Sequence, residues 1–355
     1  MSIRSPAAFV TASAPGKVIL VGEHAINRGQ PALSVSIGLY ARCRVAPLKT
    51  HQFRLHSGKE RATVGHEDLT ALRQWVERQR AAEAYSEIQA LAARDYFAPA
   101  KYILALMLEH GLPTGLSIAW ASEIPTSSGL GSGGAAFTAL VAAAGALLPE
   151  PPRLEQCAAW AHCGDIIAHG GIASALDTQT SLLGGVLRVT SHGLAQHVPA
   201  APGLALIVGN TGVIAATSAV NGRVRRWLSE APDSRMAYFQ TIGTLARLAL
   251  PLLEAGAWQP LGHLLNLNQL ILEKIGVSCP EIDQLIAAAL GAGACGAKLS
   301  GSGGGGIIIA LVLPEQRQDV AAAIAAAGGS ALMPAINVPG VTIQKQPSSL
   351  RRINQ

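Results

Sequence analysis

The segment PTSSGLGSGGA at 125–135 combines three features that favour an anion. Its glycines can turn successive backbone N–H groups toward one point, Ser132 supplies a hydroxyl, and the stretch that follows has the composition of a helix, whose N-terminus attracts negative charge. Phosphate is the anion such a loop cradles. It is not a Walker loop, because it lacks a Gly-Lys-Ser/Thr ending and contains no lysine. Nor is it a G-x-G-x-x-G turn after a first dinucleotide-binding strand. Read alone, the loop is either a phosphate cradle or a flexible turn whose small residues let a helix pack closely. A second glycine cluster, GAKLSGSGGGG at 296–306, precedes an apolar strand-like run at 307–312. By itself it suits a tight turn with Lys298 as a surface charge; beside the first loop, it is expected to line the same nucleotide cleft.

Charged candidates lie in two further segments. APGKVILVGEHA at 14–25 places Lys17 after a Pro-Gly break and Glu23 and His24 at the end of an apolar run. Charges where a strand leaves the core suit a site, although taken one at a time a solvated lysine and a satisfied structural histidine are the stronger readings. CGDIIAHGGIASALDT at 163–178 carries Asp165 near a helix end and Asp177 in a small-residue loop. Phosphoryl transfer needs a carboxylate for Mg²⁺ and a group that accepts or orients the nucleophile's proton. Asp165 and Asp177 are the candidates, and each also suits a helix cap or a turn.

These residues need elements to hold them. Runs at 9–21 and 32–45 read as strands, with Pro15-Gly16 and Gly29-Gln30-Pro31 as breaks. Residues 68–110 turn helical in pattern, 116–121 reads as a strand, and 135–148 and 154–169 as helices. Strand, glycine loop and helix therefore follow in the order a phosphate site requires. After a short strand at 185–189, the stretch 191–202 has the Gly and Pro content of a boundary. Beyond it come a strand at 204–208, two or three helices within 218–290 and a strand at 305–312. Long helices set against scattered strands point to an α+β fold rather than strict βαβ alternation.

At 355 residues the chain is long enough for two domains with a cleft between them, read here as 1–190 and 191–355. A composition 49% hydrophobic and 14% charged excludes a disordered chain. The apolar stretches fall short of a membrane span, and the N-terminal residues lack a signal-peptide pattern. The five scattered cysteines, without a CxxC pair, suggest neither a disulfide framework nor zinc, so a reducing cytoplasm is expected. The net charge of +5 is dispersed apart from Arg223, Arg225 and Arg226, which reads as a solvated helix face and not a nucleic-acid surface. A mildly basic chain also suits an anionic small substrate.

Together APGKVILVGEHAINRGQPAL, SEIPTSSGLGSGGAA, and LNLNQLILEKIGVSCPEID leading into GAGACGAKLSGSGGGG resemble the three motifs of the GHMP kinases, in the family's order and over nearly the whole chain. The likeness is strongest to the mevalonate-phosphorylating branch. It implies two domains, the first like domain 2 of ribosomal protein S5 and the second ferredoxin-like, with ATP and mevalonate bound between them. It also implies Mg²⁺ and, more loosely, a homodimer. Carried over by position, Pro125, Ser128, Gly129, Leu130, Gly131, Ser132, Gly133, Gly134 and Ala135, with Gly301, Ser302 and Gly303, would bind the nucleotide. Asp177 would take or orient the proton of the attacking hydroxyl, with Lys17 beside it. Glu23, His24, Thr217 and Ser218 would border the acceptor, and Ser132 and Asp165 would face the metal.

Three departures stand out. Around the base the family carries Pro-Ser-Gly-x-Asp, whereas residues 173–177 read Ala-Ser-Ala-Leu-Asp, with an extra residue between His169 and Asp177. The family's metal-binding glutamate falls at Asp165, one methylene shorter. The second serine of GLGSS is Gly133, which leaves Ser132 as the hydroxyl after Gly131. The alternatives are therefore a sister kinase for phosphomevalonate, homoserine or a sugar, and a nucleotide sensor that has lost turnover.

Overall fold

In the computed structural model, which describes residues 9–125, 128–214 and 217–346, the strands form two sheets. The first apolar run is β1 (Phe9–Val21), paired antiparallel with β2 (Ala32–Pro47). Pro15-Gly16 shifts the register without ending the strand. Proline removes one ladder donor, and an irregularity in pairing absorbs that loss. A hairpin of β3 (Gln52–Ser57) and β4 (Glu60–Gly65) follows, not anticipated because only Phe53 and Leu55 mark its buried face.

The predicted helical region divides into α1 (His66–Ala81), α2 (Tyr85–Arg94) and α3 (Ala98–Leu108). Next, β5 (Leu116–Ser122) lies between β2, to which it is antiparallel, and β3, to which it is parallel. The first glycine loop then enters α4 (Ser132–Gly145), followed by α5 (Leu154–Ala168), α6 (Leu176–Leu183), β6 (Val186–Val189) and β7 (Gln196–His197). Packed against β1 and β2 on one side and α5 on the other, α4 is buried from Thr138 to Gly145. An Ala-rich sequence without a polar stripe suits a helix enclosed on both sides. Within it, Leu140 and Val141 are 0% and 1% exposed, and burial of this kind stabilises by roughly 1.5–3 kcal/mol per side chain.

The second sheet begins at β8 (Leu206–Asn210). Four helices come next, α7 (Thr217–Glu230), α8 (Pro232–Ala255), α9 (Trp258–Ile275) and α10 (Pro280–Gly291), where two or three were expected. The breaks fall where Pro232 opens α8 and Gly256, in the left-handed region, closes it. Then β9 (Gly296–Ser300), β10 (Ile307–Leu311), α11 (Arg317–Ala326) and β11 (Ser330–Leu332) complete an antiparallel sheet of order β11-β8-β10-β9. The first half of the second glycine cluster is thus a buried strand rather than loop. Finally β12 (Thr342–Gln346) returns to pair with β1, giving the first sheet the order β12-β1-β2-β5-β3-β4, with β6 on β2 and β7 on β6. One continuous hydrophobic core runs through both sheets. No described helix is long and apolar enough to cross a membrane.

Candidate active site

Gly16 explains how the phosphate loop reaches β1. A Cβ there would lie 2.9 Å from the Leu130 carbonyl oxygen, and the Lys17 N–H donates to that same oxygen at 2.9 Å. The loop is thereby clamped onto the strand, and the Lys17 side chain runs beneath it. Its ammonium donates to Gly129 O at 3.0 Å and meets Asp177 Oδ1 at 3.1 Å, while only 3% exposed. The solvated reading of Lys17 is therefore excluded. A buried cation placed between a carboxylate and a backbone carbonyl has a fixed direction, as charge stabilisation requires.

Asp177 lies in the first turn of α6, not in a loop, and remains about a quarter exposed to the cleft. The start of α4 presses on it: a Cβ at Gly134 would lie 2.8 Å from Asp177 Cβ and 3.0 Å from its backbone carbon. Gly131 caps α4 in the left-handed region, with φ of 76°. That turn lets the first N–H groups of the helix face the cleft. Ser128 Oγ ties the loop's start by donating to Pro125 O at 2.7 Å. Ser128, Gly129 and the stretch 131–134 line a cavity of about 790 Å³, together with Gly301, Ser302 and Gly303 of the second loop. Leu130 and Ala135 point instead into the main core, and Pro125 is not part of the lining. Positions 126 and 127 of the loop lie outside the described residues.

Asp165 is buried near the end of α5, and its Oδ1 has no hydrogen-bond partner among the described residues. His169 stands one turn on, its Nδ1–H donating to Asp165 O at 2.9 Å and 3.4 Å from Oδ1, a contact that is ionic rather than hydrogen-bonded. The Asp165 carboxylate outweighs burial and pushes the His169 imidazolium up to about 9. Gly133 faces this pair: a Cβ there would lie 3.8 Å from Asp165 Oδ1. A buried carboxylate oxygen with no hydrogen-bond partner among the described residues, opening on a cavity that Ser132 also lines, is a donor set that fits a hard cation. The i, i+4 spacing of Asp165 and His169 was visible in the sequence, but the pairing was not drawn from it.

On the opposite wall Glu23 is 1% exposed, with its Oε1 against the Lys298 ammonium. Burial raises the Glu23 carboxyl and lowers the Lys298 ammonium, and the contact between them opposes both shifts. Lys298 is thus wholly buried, contrary to the surface charge that its glycine-rich surroundings suggested. His24, at φ of 59°, occupies a conformation uncommon for a residue with a Cβ, of the kind found where structure around a site enforces it. Its Nε2–H donates to Ser302 O at 2.9 Å, and burial lowers its pKa to about 4, which leaves Nδ1 as a lone-pair acceptor. Thr217 lines the cavity, 3.4 Å from Ser302 Oγ through its hydroxyl. The side chain of Ser218 lies outside the described set. Asn27, within the first motif but not singled out there, also lines the cavity, as do Gln89 and Asn221, which no sequence motif marked.

Residues 98–185 match the family described as GHMP kinases N terminal domain, and residues 249–330 match GHMP kinases C terminal. A mevalonate kinase from Pyrococcus abyssi is 31% identical over 303 residues, covering 83% of this chain and 86% of the relative. Among solved structures, that of L. major mevalonate kinase in complex with R-mevalonate superposes with a TM-score of 0.68 at 23% identity, covering 95% of each chain. Lactococcus lactis galactokinase complexed with galactose gives 0.75 at 18%, covering 94% of this chain and 95% of that one. The fold is thus common to proteins with different acceptors, and the sequence likeness carries the finer distinction.

Proposed function

This chain belongs to the GHMP kinases and is an ATP-dependent kinase acting on an alcohol, and from that premise we propose that its acceptor is the primary hydroxyl of mevalonate. The likeness to mevalonate kinases supports that acceptor, and the observation that carries the chemistry is the placement of Lys17, whose one ammonium holds both Asp177 and the phosphate loop at Gly129. A base and a phosphate cradle joined through a single cation are the parts that direct transfer needs.

In the reaction we infer, the mevalonate oxygen attacks the γ-phosphorus of ATP in line with the bond to the β-phosphate oxygen. The new P–O bond forms as the old one breaks, ADP leaves with that electron pair, and Asp177 takes the hydroxyl proton. Lys17 offsets charge on the transferring group and fixes the Asp177 carboxylate. The N–H groups of 131–134 hold the phosphates against the start of α4. Glu23, His24 and Thr217 border the acceptor side of the cavity. Mg²⁺ would neutralise phosphate charge, and Asp165 Oδ1 and Ser132 Oγ are the groups that would hold it. Residues 1–190 and 191–355 are proposed as the two domains, with β7 and β12 crossing back to the first sheet. A cytoplasmic enzyme suits five cysteines that are all free.

Purified protein given MgATP and mevalonate should yield ADP and a monophosphorylated product in equal amounts. Asp177→Asn should lower kcat by about 10²–10⁴-fold while nucleotide affinity stays the same. Binding of ATP without turnover would establish the sensor reading instead. Turnover of phosphomevalonate or homoserine, and not of mevalonate, would overturn the acceptor.

A further inference from the structure

Three alternate positions of the second glycine motif grip the end of β1 and the segment that leaves it. The Lys298 ammonium donates to Glu23 Oε1. Ser300 Oγ accepts the Ile19 N–H at 2.8 Å. Ser302 O accepts the His24 Nε2–H at 2.9 Å. Lys298 and Ser300, two apart on β9, present their side chains on one face, and the backbone carbonyl of Ser302, just past the strand's end, extends the same contact edge. The backbone of β9 is meanwhile anchored from behind by α9, because Asn266 Oδ1 accepts the Ala297 N–H at 2.9 Å and Gln269 Oε1 accepts the Leu299 N–H at 3.0 Å. The edge strand of the second sheet is thereby fixed against the first sheet's catalytic strand.

Charges alternate across this junction. Asp177 meets Lys17, Lys17 acts on Glu23, and Glu23 meets Lys298, so carboxylates and ammoniums follow one another from the proposed base to the second sheet. Glu23 Oε2 has no hydrogen-bond partner among the described residues, although the side chain is buried and borders the cavity. Lys298, by contrast, is not part of the cavity lining. We propose that Lys298 is a positioning residue for phosphoryl transfer, acting through Glu23 to hold the Glu23-His24 pair at the acceptor end of the cavity. It touches neither the nucleotide nor the acceptor. Its task is to keep a carboxylate ionised and aimed where burial would otherwise favour the neutral acid, and so to preserve the field that Lys17 and Asp177 work in. This rests on the reading that Glu23 and His24 border the acceptor.

The experiment compares Glu23→Gln with Glu23→Gln/Lys298→Met, using whichever of mevalonate, phosphomevalonate or homoserine the parent phosphorylates. Lys298→Met and Lys298→Arg complete the set. Lys298→Met should raise KM for the acceptor and lower kcat/KM by about tenfold or more, with KM for ATP unchanged, and Lys298→Arg should recover most of the loss. Because Lys298 acts through Glu23, adding Lys298→Met to Glu23→Gln should change kcat/KM by less than about threefold. If Lys298→Met or Glu23→Gln alone fails to fold, the double variant, which leaves no unpaired buried charge, is compared with the parent instead, and an unchanged acceptor KM there would overturn the proposal. Equal losses from Lys298→Met in both backgrounds would overturn the proposal. So would a Lys298→Met protein that melts earlier but keeps the parent's kcat and KM values, because the pair would then be only a structural bridge. A parent inactive on all three acceptors would overturn this inference and the proposed function together.

Discussion

In the first glycine-rich loop a Cβ at position 133 would meet nothing closer than 3.6 Å, whereas in the second a Cβ at 303 would lie 2.1 Å from the Val277 carbonyl oxygen. The loops have similar composition, and these two positions pack in opposite ways. Gly133 leaves open space at a helix start, where an anion's oxygens can approach backbone N–H groups, while Gly131 and Gly134 let the loop lie close on Lys17 and Asp177, with Cβ approaches of 2.9 Å and 2.8 Å. At 301–306 the glycines let one backbone lie on another: Gly304 N–H donates to Val277 O at 2.8 Å, and a Cβ at Gly306 would come within 3.2 Å of Ser128 O. The first loop is the proposed phosphate cradle, and the second, which also lines the cavity, braces the first. Glycine content alone does not tell a cradle from a brace, because both uses need the same missing side chain.

The contrast can be broken most sharply at Gly134, the position of the first loop packed most tightly against Asp177. Gly134→Ala should drive α4 against Asp177 and lower kcat by about 10²-fold, the cost of a base displaced by roughly an ångström, while thermal unfolding shows a smaller change. Gly303→Ala should reverse that pattern. With φ of 80° and a carbonyl in the way, it should cost about 1–3 kcal/mol or more in urea unfolding, and turnover of the folded fraction should fall less than in Gly134→Ala. Gly133→Ser tests the open side. Stability should stay within about 0.5 kcal/mol, and a hydroxyl restored beside Asp165 should lower the Mg²⁺ concentration needed for half-maximal rate, measured alongside Mn²⁺ binding in the presence of ADP.

The smallest expected effects are at two histidines on opposite walls of the cavity. Burial holds the His24 pKa near 4, below the unfolded value of about 6.5. Its contribution is therefore complete above pH 6.5 and is lost as pH falls toward 4. His169 is raised to about 9 by Asp165, so its contribution is complete below pH 6.5 and is lost as pH rises to 9. Urea unfolding across pH should show His24→Asn flattening the acid limb and His169→Gln the alkaline limb. An effect of either variant confined to the other limb would refute its assigned charge state.

Much of the fold was legible before any coordinates. The strand runs at 9–21, 32–45 and 116–121 and the helices at 135–148 and 154–169 formed within a few residues of their expected limits, because continuous apolar runs and glycine punctuation are local signals. The hairpin of β3 and β4 and the return of β12 to β1 were not legible. Both depend on partners far away in sequence, and their polar outward faces hide the period. In the site, residue types and spacing pointed to Lys17, Asp165 and Asp177 but left each with an ordinary alternative.

By itself the sequence determined the chemistry on offer: a glycine loop before a helix, a lysine and two carboxylates, and the order in which they come. Tertiary structure decided which of these groups meet. Gly16 and Leu130 bring Lys17 under the loop, α6 turns Asp177 toward that lysine, and β9 carries Lys298 into the interior against Glu23. Local propensity acts over a few residues, whereas an ion pair between positions 23 and 298 exists only after two sheets have packed, and burial then sets its charge.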